Sequence, residues 1–145
     1  MKITKNFTLE ELKRSVTAKN KNIHNDPGIT AEGALRKLCE DILQPLRDRW
    51  GQPIIVGSGY RCKELNTLVG GVSNSDHMYG CAADIHTLSD DWTENKKLFD
   101  LAVEMMQTGE LSNVKQIIDE HHYNWIHIAR QDGRSAKRNQ VLHIR

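Results

Sequence analysis

The sequence predicts a single α+β domain, and two kinds of pattern carry this prediction. Apolar residues recur at helical spacing in two segments, 30–46 and 93–107, which is typical of helices that pack one face on a core. Short apolar runs of strand length lie between and after them, at 54–56, 81–86, 114–119 and 124–129. No repeat, linker or low-complexity stretch interrupts the 145 residues, so one domain spanning 1–145 is expected.

A first, short helix is predicted to begin after Thr8, whose hydroxyl can cap it. Glu11 follows three residues later and completes a capping box, while Phe7 can pack onto Leu12. Residues 19–29 are predicted to form a loop, because asparagine, aspartate, proline and glycine are frequent there and no apolar period survives.

The strongest helix signal comes next, and Thr30 is its predicted N-cap. Its apolar stripe consists of Leu35, Leu38, Cys39, Ile42, Leu43 and Leu46. Pro45 lies within this segment and is predicted to kink or break the helix, because proline has no amide hydrogen to donate. The Gly-Gln-Pro sequence at 51–53 ends the helix, and the run at 54–56 is predicted as a buried strand.

The region between the two long helices is predicted to hold one helical turn and one strand. The turn covers 64–69, and the glycine pair at 70–71 ends it in a flexible corner. The run 81–86 is predicted as a strand. Alternation along that strand places Asp84 and His86 on the same face.

The second long helix, 93–107, is predicted from its own apolar stripe and ends at Gly109. The stripe consists of Leu98, Leu101, Ala102 and Met105. Two strands, 114–119 and 124–129, follow it.

The tail, 130–145, contains a turn signal at Asp132-Gly133 and a last apolar run at 141–144. This run is expected to pair antiparallel with the strand at 125–129. Three basic residues lie between the turn and the run and are expected to form a solvated loop: Arg134, Lys137 and Arg138.

Composition and charge exclude some classes of partner. The 20 lysine and arginine residues nearly balance the 19 aspartate and glutamate residues, so the net charge of +1 indicates neither nucleic acid nor an anionic membrane as a partner. No stretch approaches the roughly 18 apolar residues of a membrane span, and the polar amino end predicts no signal peptide. Cys39, Cys62 and Cys81 lack CxxC spacing and are expected to be reduced, with a Cys62–Cys81 disulfide as the alternative.

Two histidines and one aspartate form the candidate metal site. His77 and Asp84 are separated by six residues, several of them small enough to leave room for an ion. His127 lies on a predicted strand, where alternation points it away from its isoleucine neighbours. Two imidazoles and a carboxylate suffice to hold a catalytic zinc and leave its fourth position open to water. His86 is a reserve ligand, and each of these residues taken alone is better explained by a structural role than by metal binding.

Five sequence elements occur in an order that resembles a known family. They are SGYR at 58–61, LN at 65–66, VGG at 69–71, SxHxxGxAxD at 75–84 and WxH at 125–127. The chain resembles the M15 group of zinc D,D-carboxypeptidases and L,D-endopeptidases of peptidoglycan, in particular its short single-domain branch. The resemblance covers about 7–129 and implies an α+β fold with a central antiparallel sheet. It also implies that His77, Asp84 and His127 bind Zn²⁺.

The same resemblance implies roles for residues around the metal. Arg61 would bind a substrate carboxylate, for which its planar guanidinium is suited, and Ser75 would hydrogen-bond the substrate or a ligand. Glu120 would be the general base, because a Gln-x-x-x-Glu element of the short branch matches 116–120. Other branches carry an acid at the position of Asn124, so Asp119, His121 and His122 stay open as alternatives to Glu120.

The resemblance implies a zinc-dependent peptidase that acts on peptidoglycan stem peptides. The sequence does not decide between a carboxypeptidase and an endopeptidase, and a dipeptidase is a third specificity. The competing hypothesis is a cell-wall-binding module that has kept the zinc site and lost turnover. The chain is expected to act as a monomer. Without a visible export signal it would remain cytoplasmic as synthesised, or reach the wall as a phage or prophage lytic enzyme.

Overall fold

The helices begin and end at residues whose chemistry favours caps and stops. The computed structural model describes Met1–Arg145. Its α-helices are α1 (Leu9–Lys13), α2 (Val16–Asn20), α3 (Ile29–Leu38), α4 (Gln44–Trp50), α5 (Lys63–Leu68) and α6 (Trp92–Thr108). The Thr8 hydroxyl caps α1 by accepting a hydrogen bond from the Glu11 amide, as predicted. Gly51 ends α4 and Gly109 ends α6, both in the left-handed conformation.

Two predicted boundaries in the first third of the chain are wrong. The predicted loop at 19–29 begins later, because α2 forms first with Ser15 as its cap and its hydroxyl accepts from the Ala18 amide. The next helix has Gly28 rather than Thr30 as its N-cap. Glycine tolerates that cap position but offers no side chain to mark it, whereas threonine at 30 gives a misleading signal.

Helices α3 and α4 form one continuous helical stretch from 29 to 50. A π-helical turn, Cys39–Leu43, joins them immediately before Pro45. Proline cannot donate a hydrogen bond to the preceding turn, and its ring crowds that turn. A locally widened helix relieves this conflict without ending the helix. The local break predicted at Pro45 therefore takes the form of this π-helical turn.

The sheet has five strands, and its central members carry the site. The strands are β3 (Ile54–Ser58), β4 (Ala82–Thr87), β5 (Val114–Glu120), β6 (Trp125–Arg130) and β7 (Gln140–Ile144), in the order β3-β4-β6-β5-β7. A separate antiparallel pair, β1 (Lys2–Thr4) with β2 (Phe7–Thr8), precedes them. All neighbours in the larger sheet run antiparallel except β5 and β7, so this sheet is mixed.

The predicted partner of the last strand is wrong. β7 pairs parallel with β5, not antiparallel with β6. β4 and β5 already flank β6 on both sides, so the only free edge on this side of the sheet belongs to β5. The chain crosses back through 131–139 before it reaches that edge, which makes β7 parallel to β5.

Strand alternation divides the sheet into a core face and a site face. On β6, Ile126 and Ile128 are fully buried in the core, while His127 between them points to the opposite side. The entire predicted stripe of the first long helix is also fully buried in that core: Leu35, Leu38, Cys39, Ile42, Leu43 and Leu46. Burying each such aliphatic side chain stabilises the fold by roughly 1.5–3 kcal/mol. None of the helices combines the length and apolar character needed to cross a bilayer.

Candidate metal centre

His77, Asp84 and His127 converge on the site face of the sheet. One ligand atom from each lies within 4.8 Å of the other two. Asp84 Oδ1 is 3.3 Å from His77 Nε2 and 3.1 Å from His127 Nδ1. The register of β4 with β6 places Asp84 directly opposite His127, so two of the three groups are set by the sheet itself.

His77 reaches the other two groups from a short 3₁₀ helix, Asp76–Tyr79. Ser75 caps this helix, since its Oγ accepts a hydrogen bond of 3.2 Å from the His77 amide. His77 Nδ1 lies 2.7 Å from the carbonyl oxygen of Gly59. A carbonyl can only accept, so Nδ1 carries the proton and Nε2 presents its lone pair toward Asp84.

Two motif glycines permit the close approaches that place this histidine. A Cβ on Gly59 would lie 2.2 Å from the carbonyl oxygen of Leu12, and one on Gly80 would lie 2.4 Å from that of Ala31. Gly80 also has a φ of 73°, which ends the 3₁₀ helix in the left-handed region. Glycine is therefore needed at these two positions to let the chain pack closely enough to place His77, and not to make the chain flexible.

The three side chains fit a zinc ion. Imidazole nitrogen and carboxylate oxygen are typical zinc donors, and a carboxylate partner must be ionised to bind. Burial alone would raise the pKa of Asp84, but the adjacent imidazoles of His127 and His77 hold it below its usual range. His86, the reserve ligand, is not part of this group: its Nδ1 lies 2.7 Å from the Thr87 carbonyl oxygen.

The site lies in a cleft of about 600 Å³ that also contains the other predicted site residues. Arg61, Ser75 and Glu120 all line it. The Arg61 side chain makes no hydrogen bond or ion pair within the protein, and its buried Nε has no partner. Burial lowers the pKa of Arg61, and the nearby carboxylate of Asp84 counteracts this. The guanidinium is thus held at the cleft with its donors free for a ligand.

Alternation on β5 separates the two acidic candidates for the general base. Glu120 shares the site face with Ile118, which lies opposite His127, and it lines the cleft. Asp119 points into the core, is fully buried, and accepts hydrogen bonds from the Tyr123 amide and the ring of His143. Asp119 therefore holds the following turn and does not reach the cleft.

The turn after Glu120 separates the two histidine candidates. His121, His122 and Tyr123 all have φ between 51° and 62°, an unusual run of left-handed non-glycine residues. His121 lines the cleft, whereas His122 packs on Trp92 with ring centroids 4.7 Å apart. Only one of the two enters the cleft, as predicted, but a left-handed turn and not an extended strand separates them.

The cysteines form no disulfide in the structure. All three cysteines are free, and burial raises the pKa of Cys39 to about 12 and of Cys81 to about 11.

The tail is not simply a solvated basic loop: Arg134 forms a 2.6 Å ion pair with the buried Asp76, beside His77. Lys115 pairs with Asp76 as well, at 2.8 Å. Neither contact was predicted, since 58 residues separate Arg134 from Asp76 and no local pattern connects them.

Comparisons with known proteins agree with this geometry. A family model described as Peptidase M15 matches residues 5–129. The zinc D-Ala-D-Ala carboxypeptidase of Streptomyces albus G is 52% identical over 44 residues. That alignment covers 30% of this chain and 17% of the relative, so the shared part spans less than a fifth of that protein.

Proposed function

The chain belongs to the peptidase M15 family, and we propose on this premise that it is a zinc metallopeptidase that hydrolyses peptidoglycan stem peptides. The observation that carries the proposal is the placement of the donor set. His77, Asp84 and His127 share one cleft with an unpartnered arginine and an acidic residue. The relative that aligns with 44 residues of the chain is named as a zinc D-Ala-D-Ala carboxypeptidase, which supports the same substrate class.

The residues of the cleft divide the chemistry between them. His77, Asp84 and His127 would hold the zinc ion, which when bound would supply Lewis acidity to the scissile carbonyl and lower the pKa of the attacking water. Glu120 takes a proton from that water as its oxygen bonds to the carbonyl carbon. It then gives the proton to the amine nitrogen as the carbon–nitrogen bond breaks, so one carboxylate acts first as base and then as acid.

Arg61 supplies substrate orientation. Its planar guanidinium can bind a carboxylate through two parallel hydrogen bonds, and it forms no ion pair with a carboxylate of the protein. In a D,D-carboxypeptidase this would be the terminal carboxylate of the peptide. In an L,D-endopeptidase it would be a side-chain carboxylate next to the scissile bond. Ser75 Oγ accepts a hydrogen bond from the His77 amide, which helps to position that ligand, and its hydroxyl hydrogen stays available for a substrate.

The deciding experiment combines metal content with digestion of purified peptidoglycan. Wild-type protein should bind about one zinc per chain and release peptides or D-alanine. The Glu120→Gln variant should bind the same amount of zinc and release little product. Stoichiometric zinc without any released product would instead support the cell-wall-binding module. Asn124 occupies a position where other branches carry an acid, and this difference is the observation that favours the binding module as a second candidate.

A further inference from the structure

We propose that Lys137 is a second carboxylate-binding residue of the cleft, and that the preferred substrate is a peptide with a carboxylate beyond the one bound by Arg61. This rests on the proposed peptidase function and specifies its substrate. The tail is fixed beside the metal site, Lys137 is fixed on the tail, and the charge of Lys137 has no partner in the protein.

The tail segment 131–139 lies outside the part of the chain matched by the family model and is fastened to the 3₁₀ helix that carries His77. Arg134 is the fastening residue. Its guanidinium lies 2.6 Å from both Asp76 and Asp132, and it stacks over the Tyr79 ring at 3.8 Å from the centroid. Burial alone would lower the pKa of Arg134, but its hydrogen bonds to Asp132 and Asp76 raise it above its usual range. Arg134 therefore stays charged and is fully engaged within the protein.

Lys137 is held on this segment by both of its backbone groups. Its amide donates a 3.1 Å hydrogen bond to Ser135 Oγ, and its carbonyl oxygen accepts one from the Gln131 side chain. Gln131 is itself buried and donates its own amide to the Asn113 carbonyl, which ties the segment to the body of the domain. The exposed side chain of Lys137 lines the cleft from this fixed backbone.

The cations around the cleft separate into two pairs. Lys115 and Arg134 both engage the carboxylate of Asp76, so their charges are compensated by the protein. Arg61 and Lys137 line the cleft and form no ion pair with any carboxylate of the chain. Of the other two acids that line the cleft, Glu120 is assigned to proton transfer and Asp84 to the metal.

Two free cations of different chemistry suit a ligand with two carboxylates. The buried fork of Arg61 fits one carboxylate in a fixed orientation, whereas the flexible ammonium of Lys137 acts as a point charge for a second. Peptides that lack the second carboxylate would leave Lys137 solvated, at no cost to the protein but without its attraction. Lys137 therefore selects among peptides rather than acting in the chemical step.

The test uses two synthetic stem peptides that are identical except that one side-chain carboxylate is amidated in the second. kcat/KM is measured for zinc-loaded wild type, K137Q and R138Q. Arg138 is the matched control, because it is an exposed neighbouring cation that does not line the cleft. Wild type and R138Q should prefer the acidic peptide by about five- to tenfold, as expected for one partly exposed charge-assisted contact. K137Q should lose that preference.

Binding measurements separate this inference from the proposed function. The same two peptides are titrated into zinc-loaded E120Q, with and without K137Q, so that no turnover is needed. Tighter binding of the acidic peptide only when Lys137 is present supports the inference even if no peptide is hydrolysed. If E120Q and E120Q/K137Q prefer the acidic peptide equally, or if E120Q shows no preference, the inference about Lys137 is overturned. The peptidase proposal is unaffected by either result.

Discussion

Asp84 on β4 lies directly opposite His127 on β6, with Asp84 Oδ1 3.1 Å from His127 Nδ1. Neighbouring strands fix this pair, so two of the three metal-binding groups are placed by the pairing of β4 with β6. The third group, His77, comes from the short 3₁₀ helix capped by Ser75, and its ring is oriented by the Gly59 carbonyl. The site thus combines a pair fixed by strand register with a histidine positioned by a helix cap and a ring hydrogen bond.

Removing one ligand should abolish tight zinc binding. His127→Ala is expected to weaken zinc affinity by more than the roughly 10–100-fold that loss of an outer partner costs, because a direct donor is lost. Competition with a chromophoric chelator measures the affinity. His86→Ala is the matched control, since His86 follows Asp84 on the same strand face without joining the group. Full zinc occupancy in His127→Ala together with loss in His86→Ala would show that the ligand assignment is wrong.

The general base is decided by a pair of variants. Glu120→Gln should lower kcat by about 10²–10⁴-fold, because the amide cannot accept the proton from water, and should leave zinc content unchanged. His121→Gln should have a much smaller effect, although His121 lines the same cleft. Steady-state kinetics on a stem peptide with zinc-loaded proteins distinguishes the two. The reverse order of effects would assign the base to His121.

Sequence patterns predicted local structure well where the signal lies within a few residues. The Thr8 cap, the stripe ending at Leu46 and the disruption at Pro45 all depend on neighbours in the chain. The position of β7 failed because it depends on which sheet edge remains free, which no pattern at 141–144 records. Arg134 failed for the same reason, since its partner is 58 residues away.

The site itself was predicted from a combination of motifs more than from any residue. His77, Asp84 and His127 have no distinguishing signal individually, and the structure brings all three together. The sequence favoured Glu120 as the general base and left Asp119 as an alternative. The structure separates the two, since Asp119 faces the core and Glu120 the cleft.

Arg61 should control the use of a substrate carboxylate. Arg61→Lys keeps the charge but loses the planar fork, so kcat/KM for a peptide with its terminal carboxylate free should fall by about 10–100-fold if that carboxylate is the partner. A peptide with an amidated terminus should then be a poor substrate of wild type and little affected by the variant. If wild type cleaves both peptides equally, Arg61 does not bind the terminal carboxylate, which favours the endopeptidase type.

Buried thiols should make the protein less stable at alkaline pH. Burial raises the pKa of Cys39 from 9.0 to about 12, so above pH 9 the unfolded chain loses a proton that the folded chain keeps. Stability is therefore fully present below pH 9 and falls as pH rises toward 12, by about 1.4 kcal/mol per pH unit from this group. Urea unfolding at pH 7, 9, 10 and 11 measures it.

Cys39→Ala provides the control for this alkaline effect. The variant should be less stable at pH 7, because a small cavity replaces the thiol in the core. It should nevertheless lose less stability than wild type between pH 9 and 11, because alanine has no thiol to titrate. Lysine and tyrosine titration is common to both proteins and cancels in the comparison. Parallel declines in the two proteins would mean that Cys39 does not titrate differently in the folded and unfolded states.

Arg134 should stabilise the 3₁₀ helix that carries His77, through its ion pair with Asp76. Arg134→Gln is expected to lower the free energy of unfolding by about 1–2 kcal/mol, since the buried carboxylate of Asp76 keeps Lys115 but loses its second cation. Arg138→Gln should change it by less than about 0.5 kcal/mol, as usual for an exposed residue without such contacts. Zinc affinity should fall in the first variant only, because the 3₁₀ helix that carries His77 begins at Asp76. When Asp76→Asn is already present, Arg134→Gln should cause little further loss of unfolding free energy, since the carboxylate that pairs with Arg134 is gone. Additive effects of the two substitutions would show that Arg134 acts through Asp132 or Tyr79 instead.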